Sequence, residues 1–343
     1  MTRKKVLIVY NGGTIGMKRT ASGYAPKSGY LQAQMEAIPA FRHASLPHWS
    51  ILEQRPLIDS ANMHPDRWWG IAQDIARNYA DYDGFVVLHG TDTMAYTASA
   101  LPFMLQGLGK PVILTGSQIP LCEIRNDAQE NLITSLLLAA HHPVPEVCLY
   151  FGGRLIRGCR AVKIDAMGFQ AFGSPNYPLL GQAGIEIEIY WERVRKLPAE
   201  PLELTISPLN RATVSALRLF PGISATVLEN LLRPPLRGLV LETYGRGNGP
   251  ANDQVFLRVL RQASARGVVI VDCTQCYMGG VDLEGYATGR ALARAGVISG
   301  HDMTTEAALA KLYYLLSADL DPDTVRSDMQ RNLCGELTEE VNS

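Results

Sequence analysis

The chain has 343 residues, of which 47% are apolar and 19% are charged. This balance excludes global disorder, and the length suits two α/β domains better than one core. The chain has 32 Lys and Arg against 33 Asp and Glu. Because nucleic-acid binding normally requires a basic excess, we expect no nucleic-acid partner.

The N-terminus has a short basic segment followed by an apolar run at residues 6–10. Five apolar residues are too few for the core of a signal peptide, and a glycine-rich turn follows at once. No apolar stretch approaches the ~20 residues needed to cross a bilayer. We therefore interpret the run as a buried first strand and expect a cytoplasmic protein without a membrane partner.

The first half of the chain alternates short apolar runs with helical patterns. We predict strands near 6–10, 84–89, 111–114 and 146–151, and helices near 95–106 and 127–140. Uninterrupted Val, Ile and Leu runs between helices indicate a parallel sheet that is covered on both faces. In such sheets the functional groups collect on the loops at the carboxyl ends of the strands.

The second half repeats this pattern in a smaller unit. Predicted strands lie near 214–220, 238–241 and 268–272, and predicted helices lie near 254–266 and from Thr304 onward, where a capping sequence occurs. The segment between the two halves interrupts the alternation of strand and helix patterns and contains prolines. We predict an N-terminal catalytic domain at 1–190, an interdomain linker at 191–210 and a C-terminal α/β domain at 211–343.

Six cysteines are scattered along the chain, which is too sparse for a disulfide-stapled secreted domain. Cys273 and Cys276 have the spacing of a redox or metal pair. However, neither a second such pair nor a nearby histidine supplies further ligands. We interpret them as thiols at the end of a buried strand.

The first predicted strand ends at Asn-Gly-Gly-Thr-Ile-Gly, residues 11–16. Paired glycines allow the backbone to approach a ligand closely, and their N–H groups can form a nest for an anion. The phosphate-binding patterns GxxxxGK[ST] and GxGxxG are absent. The turn presents the hydroxyl of Thr14, although by itself the segment favours a plain tight turn.

A second polar turn, His-Gly-Thr-Asp-Thr at 89–93, follows the strand at 84–89. A threonine hydroxyl is a poor nucleophile and needs a neighbouring base. Thr91 beside Asp92 could relay protons if a lysine reached them, and Lys163 is an isolated lysine in an apolar stretch. Local sequence alone favours a surface role for Lys163, with an exposed ammonium group.

Three segments together resemble the asparaginase/glutaminase family, in particular its bacterial cytoplasmic type I branch. They are Asn-Gly-Gly-Thr-Ile-Gly (11–16), Leu-His-Gly-Thr-Asp-Thr-Met-Ala-Tyr-Thr (88–97) and Thr-Gly-Ser-Gln-Ile-Pro (115–120). Two threonine-bearing motifs in this order, ~75 residues apart, form a highly specific pattern. The resemblance implies hydrolysis of L-asparagine to L-aspartate and ammonia, no metal or cofactor, a Rossmann-like C-terminal domain, and a homodimer or homotetramer.

The resemblance also implies the catalytic residues. Thr14 resembles the nucleophile of the family, and Tyr24 resembles the mobile tyrosine that activates it. Thr91 and Lys163 resemble the residues that manage protons, and Asp92 also pairs with the α-ammonium group of the substrate. Backbone N–H groups near Gly13 and Thr91 are expected to stabilise the oxyanion.

For substrate binding, the resemblance assigns the α-carboxylate to Asp59 and Ser60, with Thr91 and Asp92 also contacting the substrate. Residues 14–30 resemble a flexible lid. A regulatory asparagine site of some relatives would fall near Val162, Glu242 and Cys276. Because an acidic Glu242 would repel an α-carboxylate, we hypothesise that activation by asparagine is weak or absent.

Two alternative functions share these motifs. One is an amidotransferase subunit that acts on a tRNA-linked substrate. Its archaeal examples carry an extra N-terminal domain, whereas here the first motif starts at residue 11 and the chain has no basic excess. The other is a non-catalytic amino-acid sensor, which the intact set of catalytic positions argues against.

Overall fold

The structure is a computed structural model that describes residues 3–21, 23–197, 203–207 and 212–339. The chain divides into two compact units, Met1–Ser207 and Pro208–Ser343. The domain bounds 1–190, 191–210 and 211–343 stay a prediction, and residues 198–202 and 208–210 of the predicted linker lie outside the described residues. Within the described part of that linker, a short strand at Thr205–Ile206 pairs with Leu105–Gln106 of the first unit.

The first unit contains a large mixed sheet flanked by helices. Its strands are β1 (Lys5–Gly12), β2 (Met17–Thr20), β3 (Gly23–Pro26), β4 (His48–Ile58), β5 (Gly84–Leu88), β6 (Leu105–Gln106), β7 (Val112–Thr115), β8 (Val147–Phe151), β9 (Arg154–Arg157), β10 (Val162–Lys163), β11 (Phe172–Gly173), β12 (Gly181–Ala183), β13 (Ile187–Ile189) and β14 (Thr205–Ile206). Its helices are α1 (Tyr30–Ala37), α2 (Pro65–Arg77), α3 (Met94–Met104) and α4 (Ala128–His141).

The main sheet has the strand order β13-β12-β9-β8-β7-β5-β1-β4. The predicted parallel arrangement is confirmed from β4 to β8. Beyond β8 the sheet becomes antiparallel. The chain reverses there because Gly152 and Gly153 have φ values of 56° and 81°, as two-residue hairpin turns require.

The central strands are apolar because both of their faces are covered. Residues Val6, Ile8, Val86 and Ile113 are fully or almost fully buried in one core cluster, together with Leu132 of α4. Uninterrupted apolar runs are typical of such strands. The predicted helix at 95–106 is shorter than expected, since it ends at Met104 and the next two residues form β6.

The second unit is a four-stranded, fully parallel sheet with helices. Its strands are β15 (Val214–Arg218), β16 (Gly238–Thr243), β17 (Val269–Thr274) and β18 (Val297–Ser299), and its helices are α5 (Ala225–Leu231), α6 (Gln254–Ala265), α7 (Ala287–Arg294), α8 (Thr305–Ser317) and α9 (Pro322–Met329). The capping sequence at Thr304 acts as predicted, because its side chain accepts a hydrogen bond from the N–H of Ala307. Among the described residues, no helix is long and apolar enough to span a membrane.

A buried ion pair joins α8 to the segment that follows α9. Lys311 Nζ lies 2.6 Å from Glu336 Oε1, and both side chains are fully buried. The same ammonium group donates to the carbonyl oxygens of Met329 and Arg331. The Glu336 carboxylate accepts hydrogen bonds from backbone N–H groups, including that of Cys334 at 2.7 Å. The pair therefore holds residues 329–336 against α8.

Replacing Lys311 by methionine should lower the free energy of unfolding by about 3 kcal/mol, because Glu336 would remain buried without its cation. Urea unfolding of the variant and the wild type measures this difference. In the double variant Lys311→Met/Glu336→Leu the unpaired charge is gone, so part of the stability should return. A double variant less stable than Lys311→Met would contradict this explanation.

Asp272 is a buried carboxyl group in the centre of the second sheet. It lies on β17, and its Oδ1 accepts a hydrogen bond of 2.7 Å from Thr243 Oγ1. Its Oδ2 is buried with no hydrogen-bond partner in the described part of the chain. Burial raises the pKa of Asp272 to about 7, and the bond from Thr243 opposes this only partly.

This raised pKa predicts a pH dependence of stability. Between pH 4 and 7 the folded state holds the Asp272 proton more tightly than the unfolded state. The contribution of this proton to the free energy of unfolding is therefore present at pH 4 and is lost as pH rises through about 7. Relative to Asp272→Asn, which stays neutral, the wild type should lose roughly 4 kcal/mol of unfolding free energy from pH 4 to pH 8. Urea unfolding of both proteins across this range tests the effect, and parallel stability curves would exclude it.

Candidate active site

Neighbouring strands of the large sheet bring polar side chains to one edge. β4, β1, β5 and β7 lie side by side and run parallel, so their carboxyl ends meet at the same edge. The side chains that follow these strands are Asp59 and Ser60 after β4, Thr14 after β1, Thr91 and Asp92 after β5, and Gln118 after β7. The topology therefore gathers most of the predicted site from separate parts of the chain.

The loops after β1 and β5 are in direct backbone contact. Gly13 has a φ of 85°, and a Cβ placed on it would lie 2.3 Å from the amide nitrogen of Gly90. Only glycine permits such an approach. Thr14, which opens the short 3-10 turn Thr14–Gly16, and Thr91 are the next residues in the two loops. The contact thus holds together the two loops that carry the predicted threonines.

The loop after β4 also packs against Gly90. A Cβ on Gly90 would lie 2.5 Å from Ser60 Oγ, and Thr93 Oγ1 donates a 2.8 Å hydrogen bond to the carbonyl oxygen of Ser60. Ser60 is buried, whereas Asp59 is exposed and accepts a 3.0 Å hydrogen bond from the N–H of Ala61. The two predicted binding residues therefore lie next to the loop that carries Thr91.

Lys163 reaches the loop after β5 from β10. Its ammonium nitrogen lies 2.8 Å from Thr91 Oγ1 and 2.6 Å from Asp92 Oδ1. The lysine side chain is 19% exposed, and that of Asp92 is 66% exposed. A surface role for Lys163, which local sequence favoured, is therefore wrong, and the geometry agrees with the cluster that the resemblance implies.

Gln118 extends this cluster, and no role was predicted for it. Thr91 Oγ1 donates to Gln118 Oε1 at 3.3 Å, and Gln118 Nε2 donates to the carbonyl oxygen of Gly168 at 3.1 Å. The backbone N–H groups of Gln118 and Ile119 are held by the carboxylate of Asp127. Its position after β7, within the motif at 115–120, is the signal that could have identified Gln118.

His89 supports the loop after β5, which carries Thr91. Its ring is fully buried, with Nδ1 2.7 Å from the carbonyl oxygen of Gly90 and Nε2 2.8 Å from Thr97 Oγ1. Thr97 Oγ1 accepts a hydrogen bond from Trp68 Nε1, so its own hydrogen points to Nε2 and the ring proton lies on Nδ1. Burial lowers the pKa of His89 to about 4. A neutral imidazole therefore orients the Gly90 carbonyl.

Tyr24 lies on the hairpin β2–β3, which follows the Thr14 turn. It is 44% exposed, and its hydroxyl donates a 2.6 Å hydrogen bond to Glu123 Oε1. That bond, and to a lesser degree the negative charge of Glu123, raises the pKa of Tyr24. The single phenol proton is therefore directed to Glu123 and not to Thr14. Sequence reasoning did not identify Glu123.

The metal and redox interpretations concern Cys273 and Cys276. Cys273 is buried on β17, as predicted, whereas Cys276 lies beyond the strand and is exposed. Within residues 3–21, 23–197, 203–207 and 212–339, no three His, Cys, Asp or Glu side chains are grouped so that they could hold a metal ion.

Comparison with known proteins identifies the family. Residues 5–195 match the family model described as asparaginase, N-terminal, and residues 213–329 match the glutaminase/asparaginase C-terminal domain. L-asparaginase 1 of Escherichia coli (strain K12) is 52% identical, with 98% of this chain and 99% of that protein covered. The L-asparaginase of Thermococcus kodakarensis is 37% identical, with 97% of this chain and 99% of that protein covered.

A solved structure agrees with this assignment. The crystal structure of L-asparaginase I from Vibrio cholerae is 48% identical, covers 98% of this chain and 100% of its own, and superimposes with a TM-score of 0.91. Both halves of the chain therefore match in sequence, and the whole chain matches in fold. This chain belongs to the asparaginase family.

Proposed function

We propose that this chain hydrolyses L-asparagine to L-aspartate and ammonia through an acyl-enzyme ester on Thr14. The observation that carries the proposal is the backbone contact between Gly13 and Gly90. The contact supports the proposal because Thr14 and Thr91 are the next residues in the two touching loops, and the Thr91 hydroxyl is bonded to Lys163. In this proposal a nucleophilic hydroxyl and a proton-transfer group are adjacent, as acyl transfer requires.

In the proposed first step, Thr14 Oγ1 attacks the carbon of the substrate side-chain amide. The C–N bond breaks, the Thr14 proton passes through neighbouring groups to the leaving nitrogen, and ammonia departs. Water then attacks the ester, and the Thr14 oxygen recovers a proton as aspartate forms. Lys163 and Thr91 support these transfers because they already share a hydrogen bond of 2.8 Å.

Charge determines how the substrate would be oriented. Asp92 Oδ1 is bound by Lys163, and Asp92 is largely exposed, so its Oδ2 can accept from the α-ammonium group. The hydroxyl of Ser60 suits the α-carboxylate. The resemblance assigned Asp59 to the α-carboxylate, but a carboxylate side chain would repel that group. In this proposal Asp59 therefore adds to the attraction of the ammonium group instead.

The oxyanion that forms during attack needs N–H donors. The N–H of Gly13 is occupied, because it donates to the carbonyl oxygen of Ile58 at 3.1 Å. The N–H of Thr91 is therefore the better donor in this proposal. His89 supports it, because fixing the Gly90 carbonyl also fixes the direction of the adjoining Thr91 N–H across the planar peptide.

We further propose that the enzyme acts on free asparagine in the cytoplasm, as a homodimer or homotetramer and without nucleic acid. The resemblance to the type I branch supports this. The proposed self-association is also supported by exposed apolar side chains next to the site, since Met167 is 90% and Phe169 is 36% exposed. Sedimentation at several protein concentrations measures the oligomeric state.

The deciding experiment is ammonia release from L-asparagine and from L-glutamine, each across a concentration series and without tRNA. We expect rapid, hyperbolic asparagine hydrolysis, since Glu242 disfavours a regulatory asparagine. With hydroxylamine present, the acyl-enzyme should yield aspartyl hydroxamate in place of part of the aspartate. Asparagine binding without ammonia release would instead support the sensor, and activity only with a tRNA-linked substrate would support the amidotransferase.

A further inference from the structure

The hairpin formed by β2 and β3 depends on contacts with the rest of the unit for its position. Its strands have four residues each, and Lys18, Arg19, Thr20 and Tyr24 are exposed. A two-stranded hairpin is at best marginally stable by itself. The groups that hold it therefore decide how often Tyr24 occupies its place near the site.

Three consecutive residues of the loop after β7 hold the segment that begins with the Thr14 turn. The N–H of Leu121 donates to the carbonyl oxygen of Ile15 at 3.1 Å, and Cys122 Sγ lies 3.6 Å from the carbonyl oxygen of Met17. Glu123, the third of these residues, contacts the hairpin by accepting the hydrogen bond from the Tyr24 hydroxyl. The first two contacts hold the base of the hairpin, whereas Glu123 holds its second strand.

Glu123 is itself held in place. Its N–H donates to the carbonyl oxygen of Pro120 at 3.0 Å, and its carbonyl oxygen accepts from Asn126 Nδ2 at 2.5 Å. The base of this loop is fixed by Asp127, and it carries Gln118, which touches Thr91. One loop thus contacts both the hairpin and the second threonine.

The direction of the Tyr24–Glu123 bond has a chemical consequence. Glu123 accepts the only proton of the phenol, so Tyr24 presents lone pairs to any third group. A hydroxyl that approaches Tyr24 in this state must donate to it. That is the direction in which a hydroxyl nucleophile loses its proton.

We propose that Glu123 is a positioning residue: its carboxylate anchors Tyr24, and with it the hairpin β2–β3, in the orientation that serves the reaction at Thr14. This inference rests on the proposed function for its kinetic consequence. Its structural consequence, restraint of the hairpin, is independent of activity. The two consequences can therefore be tested separately.

The kinetic test compares Glu123→Ala with Glu123→Gln, whose amide oxygen still accepts from the phenol. We expect kcat for asparagine to fall about tenfold in Glu123→Ala and less than about threefold in Glu123→Gln, with KM changed less than kcat. In a Tyr24→Phe background, Glu123→Ala should cause no further loss, because the bond is already absent. An equal loss in both backgrounds would overturn the proposal.

The structural test uses trypsin, which cleaves after Lys18 and Arg19 of the hairpin. Cleavage at these sites, identified by peptide mass, should be at least about threefold faster in Glu123→Ala and Tyr24→Phe than in the wild type or Glu123→Gln. Glu186→Ala, which changes an exposed residue between β12 and β13, is the matched control and should show the wild-type rate. Unchanged cleavage in Glu123→Ala would refute the anchor even if the wild type released no ammonia.

Discussion

Replacing Thr14 by alanine is expected to lower kcat for asparagine hydrolysis by at least about 10⁴-fold, because the proposed nucleophile is removed. Alanine suits the short 3-10 turn that Thr14 opens, and the backbone contact between Gly13 and Gly90 does not involve the threonine side chain. We therefore expect asparagine still to bind and the melting temperature to stay within a few degrees of that of the wild type.

Ammonia release under saturating asparagine, together with thermal unfolding, measures both quantities. Thr14→Ser is the matched control, because it keeps a hydroxyl at the same position and should retain far more activity than Thr14→Ala. Hydroxamate formation should disappear in Thr14→Ala. If this variant kept more than about 1% of kcat, Thr14 could not be the nucleophile.

Replacing Lys163 by methionine is expected to lower kcat by about 10³-fold, within the range usual for the loss of a general acid or base. The ammonium nitrogen is within hydrogen-bond distance of both Thr91 Oγ1 and Asp92 Oδ1. Methionine removes the proton carrier and also the cation next to Asp92. The kinetic loss alone therefore does not distinguish a proton carrier from a charge partner.

Lys163→Arg separates these two roles. Arginine keeps the positive charge beside Asp92 but does not give up a proton at neutral pH. If Lys163 carries protons, both variants should lose kcat to a similar extent, as measured by ammonia release. Recovery of most of the activity in Lys163→Arg would show that Lys163 serves only as the cation that holds Asp92.

Much of the fold could be predicted because it depends on neighbouring residues in the chain. The apolar run at 6–10, the turn at 11–16 and the cap at Thr304 each have a local physical cause. The antiparallel part of the sheet was not predicted, because a glycine pair after a buried strand does not by itself show whether the chain reverses or crosses over. β14 was assigned to a linker because two residues are too few for a recognisable pattern.

The candidate site likewise contains some residues that local sequence predicts and others that it does not. Thr14 and Thr91 stood out because each follows a predicted strand and because their two motifs together form a highly specific pattern. Lys163 and Glu123 have no such local signal, since their partners Thr91 and Tyr24 are 72 and 99 residues away in the chain. A contact between such distant side chains depends on strand order and loop path.

The sequence by itself determined the family and the α/β class, and it predicted the groups proposed to perform amide hydrolysis, because these depend on residue type and on spacing within motifs. Only the tertiary structure decided that Gly13 lies against Gly90, that Lys163 reaches Thr91 and Asp92, and that Glu123 holds Tyr24. The physical reason is that hydrogen bonds act over about 3 Å. Strand order, rather than local sequence, brings distant residues within that range.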